Sequence, residues 1–240
     1  MPTLLLWDLD ETLITTAGAG ERAIVRSARK HWKVDVDLAA IPYAGKTDCR
    51  IGHLIREYFE LPEDDATHRS YLDDFVNFVA EELPDSKAHI LPSVREIVDS
   101  AHLSVHHWQG MLTGNLRAAA KTKLVPFSLW DFFPFGAFAD DAIERSDLGP
   151  IALQRASEYA GHVFDPEEVI AIGDTPHDIA CARSFGARCL AVASGRFSLA
   201  QLGAHQPDHL TTTLEAPSVR SFFPFSLAGV AACVFFGAYG

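Results

Sequence analysis

The segment TLLLWDLDET, residues 3–12, decides the fold of this 240-residue chain. Its first part, residues 3–7, is a nearly unbroken apolar run, typical of a strand that is buried on both faces of a parallel sheet. Asp8 and Asp10 follow directly, so we expect two carboxylates at the carboxyl end of that strand. Ligands of open parallel sheets bind at this edge. The segment therefore predicts an α/β protein with a polar site where its first strand ends.

The part of the chain from residue 88 to residue 216 continues this pattern, because strand-like and helix-like stretches alternate there. The strand-like stretches are LSVHHWQGMLT (103–113), VIAIGD (169–174), RCLAVASG (188–195) and HLTTTL (209–214). The helix-like stretches between them include LRAAAKTKLV (116–125), with Asn115 as its expected N-cap, GPIALQRASEYAG (149–161) and PHDIACARSFG (176–186). This alternation predicts a doubly wound, mostly parallel sheet covered by helices.

Residues 17–87 have a different pattern. Three stretches there, at 21–32, 48–61 and 69–83, have apolar residues three and four positions apart with charges between them, which is typical of amphipathic helices. We therefore expect a helical insert at 17–87 within an α/β core made of residues 1–16 and 88–216.

The last segment, residues 217–240, is an apolar extension with no evident role. Residues 221–240 carry no charge, and twenty such residues could just span a bilayer. Pro224 and several small residues argue against a membrane helix. A packed or sticky terminal extension is therefore favoured over a membrane tail, and both interpretations remain open.

The composition fits a globular protein, with 48% hydrophobic and 22% charged residues. A formal net charge of -12 argues against a nucleic-acid partner, because such binding depends on clustered lysine and arginine. The four cysteines form no CxxC pair, and the N-terminus lacks the pattern of a signal peptide. Reduced thiols in a cytoplasmic protein are the expectation.

Asp8 and Asp10 have the spacing needed for covalent catalysis. One carboxylate can attack an electrophilic centre, and a second can give a proton to the leaving group and later take one from water. A pair of acids in this position can also simply cap a turn, and the pair alone does not decide between these interpretations.

Asp174 and Asp178 form a second acidic pair, in the sequence GDTPHD. The first ends a strand and the second lies on the following helical turn, so both are expected near one point. Acids at a helix N-terminus are favourable in any case. However, four acids at one sheet edge would repel one another without a cation, and oxygen ligands of this kind suit Mg²⁺.

An anion site is expected beside these acids. Thr113, Gly114 and Asn115 come between a strand and a helix, where main-chain amides and a hydroxyl can bind a phosphate. Arg145 could neutralise its oxygens, although a solvated surface position is equally compatible with the sequence. Lys121 is a rival cation, but it is expected to face solvent.

In this order, these elements resemble the haloacid dehalogenase (HAD) superfamily, in particular its phosphoglycolate-phosphatase-like branch. The family motif DxDxT matches residues 8–12, and its GDxxxD motif matches residues 173–178. Thr113 matches the second motif, a strand that ends in Thr or Ser, and Arg145 matches the third, a basic residue. The resemblance covers roughly residues 3–215.

The resemblance implies a role for each motif residue. Asp8 would be the nucleophile that becomes an aspartyl-phosphate, and Asp10 would be the general acid and base. Phosphate binding would involve Thr113, Gly114, Asn115 and Arg145. Mg²⁺ would be bound by Asp8, Asp174 and the main-chain carbonyl of Asp10, and Asp178 would be a further ligand or would hold a metal-bound water.

The resemblance also implies an α-helical cap at residues 17–87. The segment 45–48 resembles the specificity loop of that cap, so Lys46 and Thr47 would help to select the substrate. Lys46 could meet a second anionic group there, but an exposed loop lysine without such a role is equally compatible with the sequence. Glu11 is a departure, because many members of this branch have glycine there.

The activity implied is Mg²⁺-dependent hydrolysis of a small phosphorylated metabolite. A phosphomutase of the same superfamily and a non-catalytic binding protein are the alternatives.

Overall fold

The computed structural model of the protein describes residues 2–223. In chain order its strands are β1 (Thr3–Trp7), β2 (Ile14–Thr15), β3 (His89–Ile90), β4 (His107–Leu112), β5 (Gly136–Ala137), β6 (Val169–Gly173), β7 (Arg188–Val192) and β8 (His209–Thr211). The α-helices are α1 (Ala19–Trp32), α2 (Asp48–Tyr58), α3 (Asp65–Glu82), α4 (Val94–His102), α5 (Arg117–Leu124), α6 (Leu148–Ala160), α7 (Pro176–Ser184), α8 (Leu199–Gly203) and α9 (Pro217–Phe222).

Six of these strands form one sheet, in the order β5-β4-β1-β6-β7-β8, and every neighbouring pair is parallel. The chain places β4 on one side of β1 and β6 on the other, which makes the carboxyl end of β1 a topological switch point. Trp7 pairs with Met111 of β4 and with Ile172 of β6, so the three strands end side by side. The prediction of a doubly wound parallel α/β fold is confirmed.

Both faces of β1 are buried, because helices cover the sheet on each side. Leu5 and Trp7 belong to one apolar cluster and Leu4 and Leu6 to another, and all four side chains are fully buried. Each such side chain stabilises the fold by roughly 2 kcal/mol through its transfer from water. This burial on both faces explains why β1 is a continuous apolar run rather than an alternating one.

The region at 17–87 is helical, as its periodicity predicts. A third apolar cluster lies among α1, α2 and α3, and it includes the fully buried Ala23, Ile55 and Val79. The ring of Trp32 stacks on that of Tyr71 at a centroid distance of 4.3 Å. Its assignment as a functional cap remains a prediction.

Strands β2 and β3 were not predicted from the sequence. Each has two residues, and they pair antiparallel through Ile14 and Ile90. These strands lie just before α1 and just after α3. They therefore hold together the two ends of the helical region.

The extension predicted from residue 217 begins as α9, which packs on the core through the fully buried Val219. Residues 224–240 lie outside the described part of the chain, and with them most of the proposed terminal extension or membrane tail. Among residues 2–223, every helix is too short or too polar to cross a membrane.

Candidate active site

The carboxyl ends of β1, β4 and β6 open into one cavity of about 330 Å³. Asp8 and Asp10 follow β1, Gly114 and Asn115 follow β4, and Asp174 follows β6; all five line the cavity. The strand-end residues that the sequence singles out are therefore brought together, because parallel strands in register end at one edge.

Three buried acids form the centre of this site. Oxygen atoms of Asp8, Asp174 and Asp178 lie within 4.8 Å of one another. Burial raises the pKa of Asp8 to about 6, although the positive charge of Arg145 opposes this rise. Burial, reinforced by repulsion from Asp178 and Asp8, raises the pKa of Asp174 to about 9. A group of buried oxygen ligands with this mutual repulsion fits a divalent cation.

Asp178 also caps α7, as its position on the first helical turn predicts. Its Oδ2 accepts hydrogen bonds from the main-chain nitrogen of Thr175 at 2.9 Å and from the Thr175 hydroxyl at 2.7 Å. The Thr175 hydroxyl in turn accepts one from the Asp178 main-chain nitrogen. This reciprocal capping fixes the carboxylate, so that only Oδ1 faces its charged neighbours.

Arg145 lies inside the site rather than in solvent. It begins a 3-10 turn (Arg145–Asp147) before α6, and its residue surface is only 7% exposed. Its Nη2 lies 2.8 Å from Asp8 Oδ1 and also donates to Asp178 Oδ1. Its Nε is buried and has no hydrogen-bond partner in the described structure. The guanidinium therefore balances part of the negative charge of the acids. Of the two positions that the sequence left open for Arg145, in the site or on the solvated surface, the structure shows the first.

Asn115 has a different structural role from the expected one. The prediction that it caps α5 is wrong, because Leu116 occupies the N-cap position and the helix begins at Arg117. The free amides at this end instead donate to side chains of Asp48 and Asp140. The Asn115 side chain is therefore not needed to cap α5.

The Asn115 side chain points into the site instead. Its Nδ2 donates to Asp10 Oδ2 at 2.9 Å and to the Thr113 hydroxyl at 3.0 Å. Thr113 itself is fully buried. These bonds connect the loop after β4 to the loop after β1.

Lys123 of α5 is a site residue that the sequence analysis missed. It is 2% exposed, and its Nζ lies 2.6 Å from Asp10 Oδ2 and 2.6 Å from Asn115 Oδ1. The rival cation considered, Lys121, is exposed as expected. The missed signal was the helical spacing, because Lys123 falls on the apolar stripe formed by Leu116, Ala119, Ala120 and Leu124.

The segment at 45–48 lies directly against the strand ends. The carbonyl of Gly114 accepts a hydrogen bond from the Asp48 main-chain nitrogen at 2.7 Å. A Cβ at Gly114 would lie only 2.5 Å from the carbonyl oxygen of Lys46, so the close approach requires glycine. Lys46 lines the cavity. The hydroxyl of Thr47 is used within the protein, because it donates to the carbonyl of Ile143 and caps α2.

The loop after β7 supplies two further residues that the sequence analysis passed over. Gly195 lies so close to Asp174 that a Cβ there would overlap the Asp174 carboxylate. The hydroxyl of Ser194 donates to the main-chain carbonyl of Glu11. Glu11 has a φ of 57°, in the left-handed region that favours glycine. This backbone conformation explains why glycine is common at that position in the family it resembles.

Comparison with known proteins finds hydrolases and phosphatases among the similar chains. The model of the HAD-hydrolase-like family matches residues 144–217. A phosphoglycolate phosphatase of Vibrio vulnificus is 26% identical over 222 residues, which cover 88% of this chain and 92% of that protein.

Solved structures share the fold. The β-phosphoglucomutase of Clostridium difficile superposes with a TM-score of 0.71 at 16% identity, covering 89% of this chain and 92% of that one. CbbY of Rhodobacter sphaeroides, solved in complex with phosphate, gives a TM-score of 0.64 at 16% identity, with coverage of 89% and 95%.

Proposed function

We propose that the chain is a phosphohydrolase of the haloacid dehalogenase-like kind, which its sequence matches resemble, and that it hydrolyses a small phosphomonoester through an aspartyl-phosphate on Asp8. The observation that carries this proposal is that Asp8, Asp10, Arg145 and Asp174 line one cavity, with Asp178 directly behind them beside Asp8 and Arg145. A nucleophile, a proton carrier and a phosphate-binding cation are thus within reach of one substrate.

In the first step the Asp8 carboxylate attacks phosphorus and the bond from phosphorus to the leaving oxygen breaks. Asp10 gives its proton to that oxygen, so the alcohol leaves neutral. In the second step Asp10, now a carboxylate, takes a proton from water as the water oxygen attacks phosphorus. The bond between phosphorus and Asp8 breaks, and inorganic phosphate and the free Asp8 carboxylate result.

The phosphoryl group would be held by residues at the ends of β4 and α6. Arg145 would neutralise its oxygens, and the Thr113 hydroxyl with the amides of Gly114 and Asn115 would donate hydrogen bonds to them. Asp8 and Arg145 already lie 2.8 Å apart, so a phosphoryl group on Asp8 would form beside the guanidinium.

The acidic centre is the proposed site for Mg²⁺. It would be held by side chains of Asp8, Asp174 and Asp178 and by the main-chain carbonyl of Asp10, and when bound it would neutralise carboxylate and phosphoryl charge. The close approach of the three side chains and the raised pKa values of Asp8 and Asp174 support this assignment.

A small substrate is supported by the cavity volume of about 330 Å³. Lys46 and the helical region at 17–87 are proposed to select it, because Lys46 enters the cavity from that region. We expect a phosphorylated metabolite rather than a phosphoprotein or nucleic acid.

The direct test is hydrolysis of p-nitrophenyl phosphate by the wild type with Mg²⁺, by the wild type with EDTA, and by Asp8→Asn. Release of inorganic phosphate that needs both the metal and Asp8 is the expected result. Release that is unchanged in Asp8→Asn would contradict the proposal. Transfer of the phosphoryl group to a second hydroxyl of an added sugar phosphate, without release of phosphate, would indicate a phosphomutase instead.

A further inference from the structure

Lys123 has a place in the site that none of the HAD sequence motifs explains. It projects from the last turn of α5 to the wall of the cavity, where its ammonium group lies beside the loop after β1 and beside α1. A Cβ on Gly20 of α1 would lie 3.6 Å from Nζ, an ordinary contact distance, so α1 passes directly beside the charge.

A buried lysine is costly unless the fold gives its charge partners. Burial lowers the pKa of Lys123, but the attraction of Asp10 and Asp48 outweighs it and holds the pKa above its ordinary value. Lysine is ordinarily protonated at neutral pH, so the side chain is a buried cation. Its hydrogen-bond partners indicate what this cation does in the site.

Lys123, Asn115 and Asp10 are joined in a closed triangle of hydrogen bonds. Lys123 donates to Asp10 Oδ2 and to Asn115 Oδ1, each at 2.6 Å, and Asn115 Nδ2 donates to the same Asp10 oxygen at 2.9 Å. Two donors thus converge on one carboxylate oxygen of Asp10. Asp10 Oδ1 is buried and accepts no hydrogen bond in the described structure.

We propose that Lys123 is a positioning residue that, together with Asn115, fixes the Asp10 carboxylate for proton transfer to the leaving group. The inference rests on the proposed function, in which Asp10 carries that proton. An aspartate two residues after the nucleophile can rotate about its side-chain bonds, and the two donors restrict this rotation. Proton transfer depends strongly on such alignment.

The alternative role is purely structural, since Lys123 could serve only to offset the negative charge of Asp10 and of the buried Asp48. The two roles predict different changes in rate when Lys123 is removed, depending on how good the leaving group of the substrate is. A misplaced general acid slows departure of a poor leaving group far more than departure of a good one. A structural defect lowers the rates for both by the same factor.

The experiment compares phenyl phosphate with p-nitrophenyl phosphate at saturating Mg²⁺. The two substrates have similar shapes but different leaving groups. Phenol is a weak acid with a pKa near that of tyrosine, about 10, so its departure depends more on protonation than that of p-nitrophenol. The parameter measured is kcat/KM, because it includes only the steps up to departure of the alcohol. The variants are Lys123→Met and, as the matched control on the same helix, Lys121→Met.

We expect Lys123→Met to lower kcat/KM for phenyl phosphate by about 100-fold, the usual contribution of a general acid, with a much smaller loss for p-nitrophenyl phosphate. Lys121→Met should match the wild type on both substrates. In an Asp10→Asn background, Lys123→Met should cause no further loss, because the residue acts through Asp10. Lys123→Arg, which keeps a charged donor, should recover part of the activity.

Equal losses on the two substrates, or losses that multiply in the Asp10→Asn background, would overturn the inference while leaving the proposed function intact. A wild type without Mg²⁺-dependent hydrolysis of either ester would overturn both. If the circular dichroism of Lys123→Met departs from that of the wild type, Lys123→Gln, which retains a neutral donor, replaces it in the same comparison.

Discussion

The guanidinium of Arg145 lies 2.8 Å from the carboxylate of Asp8, and the same nitrogen also donates to Asp178. These three residues come from different parts of the chain, yet all are nearly inaccessible to solvent. Arg145 therefore counters repulsion in the resting site and stands where a phosphoryl group on Asp8 would need a cation.

The first prediction concerns Arg145→Met, which removes this charge while keeping an extended side chain. Loss of a group that stabilises transition-state charge typically costs about 100- to 1,000-fold in kcat. We expect a loss of that size, measured with p-nitrophenyl phosphate, and a smaller one for Arg145→Lys. The exposed Arg69, changed to Met, is the control. Activity of Arg145→Met within a few-fold of the wild type would exclude its proposed role.

The second prediction concerns the metal. Mg²⁺ at about 100 times its Kd should stabilise the fold by ~2.7 kcal/mol. For a chain of this size that corresponds to a rise in Tm of roughly 5–10 °C. Differential scanning fluorimetry with Mg²⁺ and with EDTA measures this rise.

Asp174→Asn should have two opposite effects in the same measurement. Without metal its Tm should exceed that of the wild type, because Asp174 is costly to bury beside Asp178 and Asp8. With Mg²⁺ the rise in Tm should be largely lost. The exposed Asp85, changed to Asn, should leave both values unchanged. A full Mg²⁺-induced rise in Asp174→Asn would contradict the assigned metal site.

The third prediction concerns Glu11, whose left-handed backbone conformation is unfavourable for any residue with a Cβ. Glu11→Gly and Glu11→Ala both remove the hydrogen bond that Thr15 donates to the side chain at 2.6 Å. Only glycine removes the steric cost of the left-handed backbone conformation. Glu11→Gly should therefore be more stable than Glu11→Ala by about 1 kcal/mol in urea unfolding. Equal stabilities would show that the left-handed conformation carries no such cost.

The fourth prediction is a dependence of stability on pH through Asp48 of α2. Burial raises the pKa of this carboxyl from 3.8 to about 7, against the attraction of Lys123. Leu116 donates a hydrogen bond to it, while Asp10 and Asp140 repel its charge. The folded protein therefore binds a proton that the unfolded chain releases near pH 4, so stability falls as pH rises from about 4 to 7.

Asp48→Asn should remove this contribution and keep an acceptor for the Leu116 amide. In metal-free urea unfolding, the variant should gain stability relative to the wild type as pH rises from 5 to 7. Asp85→Asn should follow the wild type across this range. Parallel curves for Asp48→Asn and the wild type would exclude Asp48 as the source of the slope.

The sequence allows much of this architecture to be predicted, because the strands that carry the site are distinctive. An apolar run that ends in Asp8 and another that ends in Asp174 can only place these acids together if the strands are parallel neighbours. In the structure they are neighbours, through the pairing of Trp7 with Ile172. Arg145 was identified from its order in the chain, but its burial depends on packing that the sequence does not reveal.

Lys123 shows where prediction from sequence fails. It lies 113 positions from Asp10, and no local pattern links the two. Its spacing on the apolar stripe of α5 indicated burial, but a lysine at such a position also reaches solvent in many helices. Its direction depends on the tertiary fold, which brings Asp10 and Asn115 within hydrogen-bond distance of Nζ. The incorrect N-cap for Asn115 has a similar cause, because distant acids bind the first amides of α5.

The proposed reaction requires a phosphoryl group on Asp8, and acid-quenched mass spectrometry can detect it. Wild-type protein mixed with Mg²⁺ and excess p-nitrophenyl phosphate is quenched within the first turnovers, digested, and the peptide containing Asp8 is examined. We predict a phosphoryl group on Asp8 that disappears as the substrate is consumed, and none in Asp8→Asn. Steady turnover of the wild type with no phosphorylated peptide, or with the phosphoryl group on another residue, would contradict the account.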